Sequence, residues 1–494
     1  MEKLMKLTKK VGENIKILDR KLGISENFDV VKREIIIGGR KAFYIFIDGF
    51  AKDEIMLYIE KRLQSLDREE ITPNTIEKLI TQKISYLEVE ITDEVEHIEF
   101  MVLSGALAIL IDREDNAIIL DVRSYPARGP EEPDLEKVTR GSRDGFTETL
   151  IFNTALIRRR IRDPSLRFEI IQVGSRSKTD VVIGYIKDIA DSNLVKDLKE
   201  KINKIDTDAL EMCEKSLEEF ILGRSWNPLP QVRYTERPDV ASAHLLEGHI
   251  VVIVDNSPSV MILPVTMFHF TQHAQDYYQN PAVGTYFRWV RFIGILFSVI
   301  LPPLWLLLVY YKGSFPDWLK FLGPKKTGEI SLFMQFFILE IGIDLLRIAS
   351  VHTPNSLATA LAIIGGLILS EFAIKVGWFV PETILYMSVA GLGMFAIPSL
   401  EFSLALRLFR YILLISTGFF RIYGFIGSLI FIFIIFVSTK SFGGIRYTWP
   451  LIPFDRKSLA TIIFRKPIPE VKRRPEFLKT KDKNAAPPDD EVPN

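Results

Sequence analysis

The pattern of apolar and polar positions changes character halfway along the chain. In the first half, apolar residues come in short runs separated by charge. Phe43–Ile47, Ala106–Ile111 and Val181–Ile186 are β-branched runs of the length and composition that buried strands have. Between them, Asp53–Leu66 and Ser192–Ile202 place apolar residues at helical spacing. This half is expected to be an α/β domain.

The pattern also repeats. Shifted by 143 residues, Gly105–Val122 (GALAILIDREDNAIILDV) overlays Gly248–Val265 (GHIVVIVDNSPSVMILPV) without a gap. Each copy reads as a β-hairpin with Asp112 or Asp255 opening the turn. Shifted by 139, Phe46–Leu63 overlays Tyr185–Ile202, the end of a strand and the helix after it. Two matches in the same order point to two related α/β subdomains, 30–123 and 167–285. An N-terminal segment, 1–29, precedes them, and 124–166 connects them. Tyr125–Arg143, rich in proline, glycine and charge, reads as a linker.

In the second half, Ile293–Tyr311, Leu357–Ile374, Thr383–Leu400 and Ile422–Thr439 are long stretches of predominantly apolar residues. Crossing about 30 Å of hydrocarbon takes roughly 20 residues, and only a helix satisfies its own backbone there. Pro302 and Pro303 are expected to kink the first span, and Tyr286, Phe287 and Trp289 before it suit an interfacial belt. Ile330–Ser350 and Leu404–Phe420 carry charges and read either as interfacial helices or as spans facing a polar interior. The expectation is an α-helical polytopic membrane domain over 286–440 with four to six spans. A basic cytosolic tail, 441–494, follows, and its end is expected to be disordered.

Composition narrows the function classes. The chain has 494 residues, with 62 basic and 62 acidic side chains, so its charge balance suggests no nucleic-acid partner. Cys213 is the only cysteine, which excludes an internal disulfide and fits a reducing compartment. The start of the chain lacks the apolar core of a signal peptide, so the α/β half is expected in the cytosol. No catalytic motif stands out and no cofactor is implied, so the chain is not expected to be an enzyme. GSRSKT (Gly174–Thr179) lacks the first glycine of a phosphate-binding loop and reads as a hairpin turn. His269 and His273 have the spacing of a metal pair without a third ligand nearby, so no metal site is expected; they read as part of an interfacial amphipathic segment.

The charges among apolar residues are the candidate chemistry. Glu340, Asp344 and Arg347 share one helix face, and Glu371 and Lys375 are four residues apart. Either they line an ion path, or they form structural ion pairs with Lys375 reaching for the membrane edge. Ala358–Gly366 is rich in small residues, as a pore-lining or closely packed helix requires. Leu357–Ile374 is therefore the expected lining helix, with Gly365, Ile374 and Glu371 as candidate pore positions.

Four segments in series, Ser142–Ile186, Tyr234–Val240, Leu245–Thr266 and Gln275–Gln279, resemble the A subunits of the GerA-type spore germination receptors. The resemblance covers about residues 30–470. Ile348 stands after Arg347 where receptor A subunits tend to carry glutamate. The resemblance implies a multi-pass protein of the spore inner membrane that acts in germination as an oligomeric channel for monovalent cations. It also implies homo-oligomerisation within membrane lipid, a second small membrane protein as partner, and association with germination receptors. Glu236, Arg237, Pro238, Asp239, Glu247 and Gly248 match family motifs and read as elements of fold and interface. The alternatives are an accessory of dipicolinate or other solute transport, and a non-conducting scaffold that organises receptors.

Overall fold

The computed structural model describes residues 5–123, 136–223, 225–314, 321–326, 328–352 and 373–486. The chain forms two compact units. One comprises Met1–Ser225, Val232–Pro264 and Ile468–Asn494; the other comprises Trp226–Gln231 and Val265–Pro467.

The first unit holds two five-stranded antiparallel sheets. β1 (Val30–Ile37), β2 (Arg40–Ile47), β3 (Val89–Thr92), β4 (Leu107–Ile111) and β5 (Ala117–Leu120) are ordered β1-β2-β4-β5-β3. β6 (Leu166–Val173), β7 (Thr179–Ile186), β8 (Arg233–Thr235), β9 (Ile250–Val254) and β10 (Val260–Leu263) are ordered β6-β7-β9-β10-β8, the same topology. The shift of 143 that overlays the sequences carries β4 onto β9 and β5 onto β10 residue for residue. The shift of 139 carries β2 onto β7 and the helix Asp53–Gln64 onto Ser192–Asn203. Even the turns correspond: Arg113 and Asn256, each following the hairpin aspartate, adopt φ of 70° and 66°.

Local chemistry explains these elements. Gly38 and Gly39, at φ of 53° and 70°, make the two-residue β1–β2 turn, whose twist requires positive φ at both positions. Alternate residues of the first sheet enter two separate cores. Ile45, Ile47, Ala108 and Leu110 pack under the helices Val11–Leu22 and Val95–Leu103. Tyr44, Leu107 and Ile109 pack with Ile59 and Leu63 of Asp53–Gln64. Because both faces are covered, β4 and β9 are buried at every position and read as unbroken apolar runs.

A buried ion pair ties the two halves of this unit together. Asp29, just before β1, accepts from Nε and Nη2 of Arg158 at 2.8 and 3.0 Å, with both side chains only 1% exposed. The Arg158 guanidinium also lies 5.1 Å from the centroid of the Phe168 ring. Beside it, the Phe168 amide donates to Asn27 Oδ1 at 2.8 Å and its carbonyl accepts from the Phe28 amide. The tail from Ile468 belongs to this unit as well: Lys481 N donates to the Ile189 carbonyl, and Leu478 is fully buried.

The second unit is helical, built on Pro281–Tyr310, Leu332–His352, Pro381–Phe395 and Leu400–Ser438. Two of these, Pro281–Tyr310 and Leu400–Ser438, are long and apolar enough to cross a membrane. The second is not straight. Arg421, at φ 53° and ψ −128°, breaks it, and the rings of Phe409 and Phe436 lie 5.7 Å apart. The two arms therefore run back along each other, dividing where Leu404–Phe420 and Ile422–Thr439 were separated in the sequence. A Cβ at Gly424 would run into the Ser416 carbonyl of the opposite arm. The expected span Leu357–Ile374 lies outside the described residues except for its last two positions, as does the end of the tail from Pro487.

Two outcomes test this architecture. Asp29→Ala leaves Arg158 buried without its carboxylate and should destabilise the α/β unit by about 3–5 kcal/mol, read from its urea midpoint; an unchanged midpoint would refute the role given to the pair. Gly424→Val should prevent closure of the helix hairpin, so that cysteines placed at Phe409 and Phe436 no longer cross-link efficiently.

Candidate functional site

The helical unit brings two acids and two arginines from different helices into one buried cluster. Leu332–His352 supplies Glu340 and Asp344, one turn apart. The arm Leu400–Phe420 supplies Arg407, Arg410 and Tyr411, which helical spacing places on the facing side. Glu340 and Arg410 are fully buried and Arg407 is 3% exposed.

The geometry is a knot with both signs balanced. Arg410 donates to Glu340 through Nε and through Nη2, the latter at 2.9 Å, a bidentate pair. Arg407 lies 3.4 Å from Glu340 Oε2 through Nε, donates to the Glu340 carbonyl at 2.8 Å, and meets Asp344 Oδ1 at 2.5 Å through Nη1. The Tyr411 hydroxyl donates to Asp344 Oδ2 at 2.7 Å. Two carboxylates thus face two guanidiniums. An isolated charge in such surroundings costs several kcal/mol, and a closed, neutral set avoids most of that.

A proline explains why Arg410 reaches a third helix. Pro302 has no N–H, so the carbonyl four residues earlier, Ser298 O, loses its helical donor. Arg410 Nη1 donates to that oxygen at 2.6 Å. The same guanidinium donates to Met394 Sδ at 3.1 Å, on Pro381–Phe395. One side chain therefore holds four helical segments. Nearby, Gly294 and Gly393 let two of them approach closely: a Cβ on Gly393 would strike the Gly294 carbonyl oxygen. Buried Gln335 adds a second polar tie, accepting from Val380 N at 3.0 Å and Thr383 Oγ1 at 2.9 Å.

The residues singled out in the sequence fall into three groups. Glu340 and Asp344 are in the knot, while Arg347, one turn further, is half-buried. Gly365 and Glu371 lie outside the described residues; Ile374 and Lys375 sit exposed on the helical turn Ala373–Lys375. The family-motif residues belong to the α/β unit. Pro238 opens the helix Pro238–Glu247, and Gly248 closes it at φ 104°. Arg237, fully buried, donates to Asp239 at 3.0 and 2.7 Å and to the carbonyls of Glu136 and Ser142 at 3.1 and 3.0 Å. The Glu236 carbonyl accepts from Phe146 N at 2.8 Å, and Glu247 is exposed. His269 Nδ1 lies 3.0 Å from the Thr266 backbone N, and His273 Nδ1 accepts from Gln275 N at 3.1 Å, so both cap short helical turns. Gly174–Thr179 forms the β6–β7 turn.

Sequence reasoning missed Arg407 and Arg410 as partners of Glu340. Their signal was present: two arginines three apart in an otherwise apolar segment need buried acids, and Glu340 and Asp344 have matching spacing. Removing one member should be costly and removing a matched pair should not. Arg410→Ala should lower the melting temperature in detergent by an amount corresponding to roughly 3–5 kcal/mol, whereas Glu340→Met with Arg410→Met should recover most of the loss. Equal losses in the single and double variants would refute the pairing.

The family model described as Bacillus/Clostridium GerA spore germination protein matches residues 16–477. The chain is 41% identical to stage V sporulation protein AF of Bacillus subtilis (strain 168), covering 98% of each chain. It is 30% identical to spore germination protein GerLA of Bacillus cereus, covering 99% of each. Among solved structures, the N-terminal domain of the A subunit of the Bacillus megaterium spore germinant receptor GerK3 aligns at 26% identity and a TM-score of 0.43, covering 53% of this chain and 97% of that one.

Proposed function

The chain belongs to the Bacillus/Clostridium GerA family of spore germination proteins, and on that premise we propose that it is a subunit of an oligomeric monovalent-cation channel in the spore inner membrane. The observation that carries this reading is the closed knot around Glu340. Its carboxylate is held by Arg410 on two sides, so a passing cation would have to break that pair to bind it. The knot therefore serves to brace the helices, and the ion path runs between copies of the chain. Gly365, Glu371, Ile374 and Lys375, on and just beyond the small-residue span, line that path. Asp344 and Arg347 stand at the less buried edge of the brace.

In this reading the chain crosses the membrane several times, with the α/β unit and the C-terminal tail in the cytosol. The two related subdomains form the surface through which a second small membrane protein and the germination receptors engage it, with the buried Arg237 and the Gly248 cap holding the fold beneath that surface. The relatives named for sporulation and for spore germination support a role in germination, and in this reading that role is signalling through ion release.

Potassium flux through the full-length protein in liposomes, alone and with its small membrane partner, tests the proposal. Glu371→Ala should change cation selectivity or conductance severalfold while the oligomer keeps its mass. Unchanged flux in that variant would remove Glu371 from the path. A folded oligomer that passes no ions under either condition would instead favour a scaffold.

A further inference from the structure

After its last long helix the chain does not leave the helical unit at once. The short helix Arg456–Ile463 begins at Asp455, whose side chain accepts from Lys457 N at 3.0 Å and Ser458 N at 3.3 Å. Its other end is clamped to the start of Pro281–Tyr310. Arg288, 3% exposed, donates to the carbonyls of Thr461 and Ile462 at 2.8 and 3.0 Å, a cation at a helix C-terminus. Arg465 adds two bonds, its amide to Thr285 Oγ1 at 3.1 Å and Nη2 to the Tyr277 carbonyl at 2.9 Å. Phe464 meets Trp289 edge to face at 5.6 Å.

This fixed segment presents an unusual surface. Leu451, Phe454 and Phe464 are 41%, 69% and 48% exposed, beside Tyr286 and Trp289 at 61% and 46%. Among them stand the exposed cations Arg446, Arg456 and Lys457. The nearest acid in sequence, Asp455, is engaged in capping. Large apolar side chains and aromatics interleaved with basic groups, at the end of an apolar helix long enough to span, match the layer where acyl chains meet headgroups.

We propose that Arg446–Phe464 is a peripheral membrane anchor that selects anionic phospholipids: Leu451, Phe454 and Phe464 enter the acyl boundary while Arg446, Arg456 and Lys457 bind headgroup phosphates. The occupant is the bilayer, because the positive charge complements an anionic lipid surface and the segment is clamped to the start of Pro281–Tyr310, a helix long and apolar enough to cross a membrane. This goes beyond the conduction reading and does not depend on it, requiring only that Pro281–Tyr310 sits in a membrane.

The test uses the full chain carrying Cys213→Ser and Leu451→Cys, labelled with an environment-sensitive fluorophore. It is reconstituted into phosphatidylcholine vesicles with and without one quarter phosphatidylglycerol. Quenching by lipid-borne nitroxides reads contact with the acyl boundary, and ion flux plays no part in it. Quenching should be strong, and stronger with phosphatidylglycerol. Arg456→Gln with Lys457→Gln should reduce the preference for the anionic lipid, by roughly fivefold per charge removed. Phe454→Ser should weaken quenching in both vesicle types. A label that is quenched equally in both, and indifferent to the charge variants, overturns the headgroup selection. A label shielded from lipid nitroxides but self-quenching between copies overturns the proposal in favour of a second chain as occupant.

Discussion

The helical unit depends on one electrostatic constraint: a carboxylate in apolar surroundings has to be neutralised where it stands. Glu340 meets this through Arg410, and Arg410 meets its own needs through the carbonyl that Pro302 frees at Ser298. A kink that would be a defect in isolation becomes an attachment point. Arg407, Asp344 and Tyr411 complete the set, and the close crossing at Gly294 and Gly393 follows once the helices are held. Such a knot adds little net stability compared with well-packed apolar side chains, but it admits few alternative arrangements. That suits a unit whose helices otherwise present similar apolar surfaces to each other.

The α/β unit solves the same problem with different means. Its two sheets share one strand order, so each could be built from the same local rules. Among the contacts that join them, the most deeply buried ion pair is Asp29 with Arg158, supported by the amide and carbonyl of Phe168 and by Glu26 with Arg167 and Lys187. The central strands β4 and β9 are covered on both faces, which is why their apolar runs are unbroken. In both units, then, apolar burial supplies the bulk of the driving force, and a few paired charges choose among the arrangements it permits.

Membership of a spore germination family gives these features a setting. The buried acids Glu340 and Asp344 are paired within one chain, and an exposed aromatic and basic segment follows the last long helix. The motif residues Arg237, Asp239 and Gly248 prove to be architectural: one holds a turn by a buried guanidinium, the other ends a helix in the left-handed conformation. Their chemistry is that of a fold.

Much of the fold was legible in the sequence because it follows from local periodicity. The residue-for-residue shifts of 143 and 139, the hairpin aspartates, the helix start at Pro238 and the division of the last apolar stretch near Arg421 all express patterns within a few turns of chain. The α/β character and the apolar helical half were therefore determined by the order of residues alone. The charge site was legible only in part. Glu340 and Asp344 share a face by spacing, but helical spacing says nothing about which distant segment that face meets. Arg410 is 70 residues from Glu340 and 112 from Ser298. Those partners were chosen by packing, as were Asp29 and Arg158 across 129 residues. Pairing over such distances depends on which helices can approach and which carbonyls a proline leaves open, and only the tertiary structure decides that.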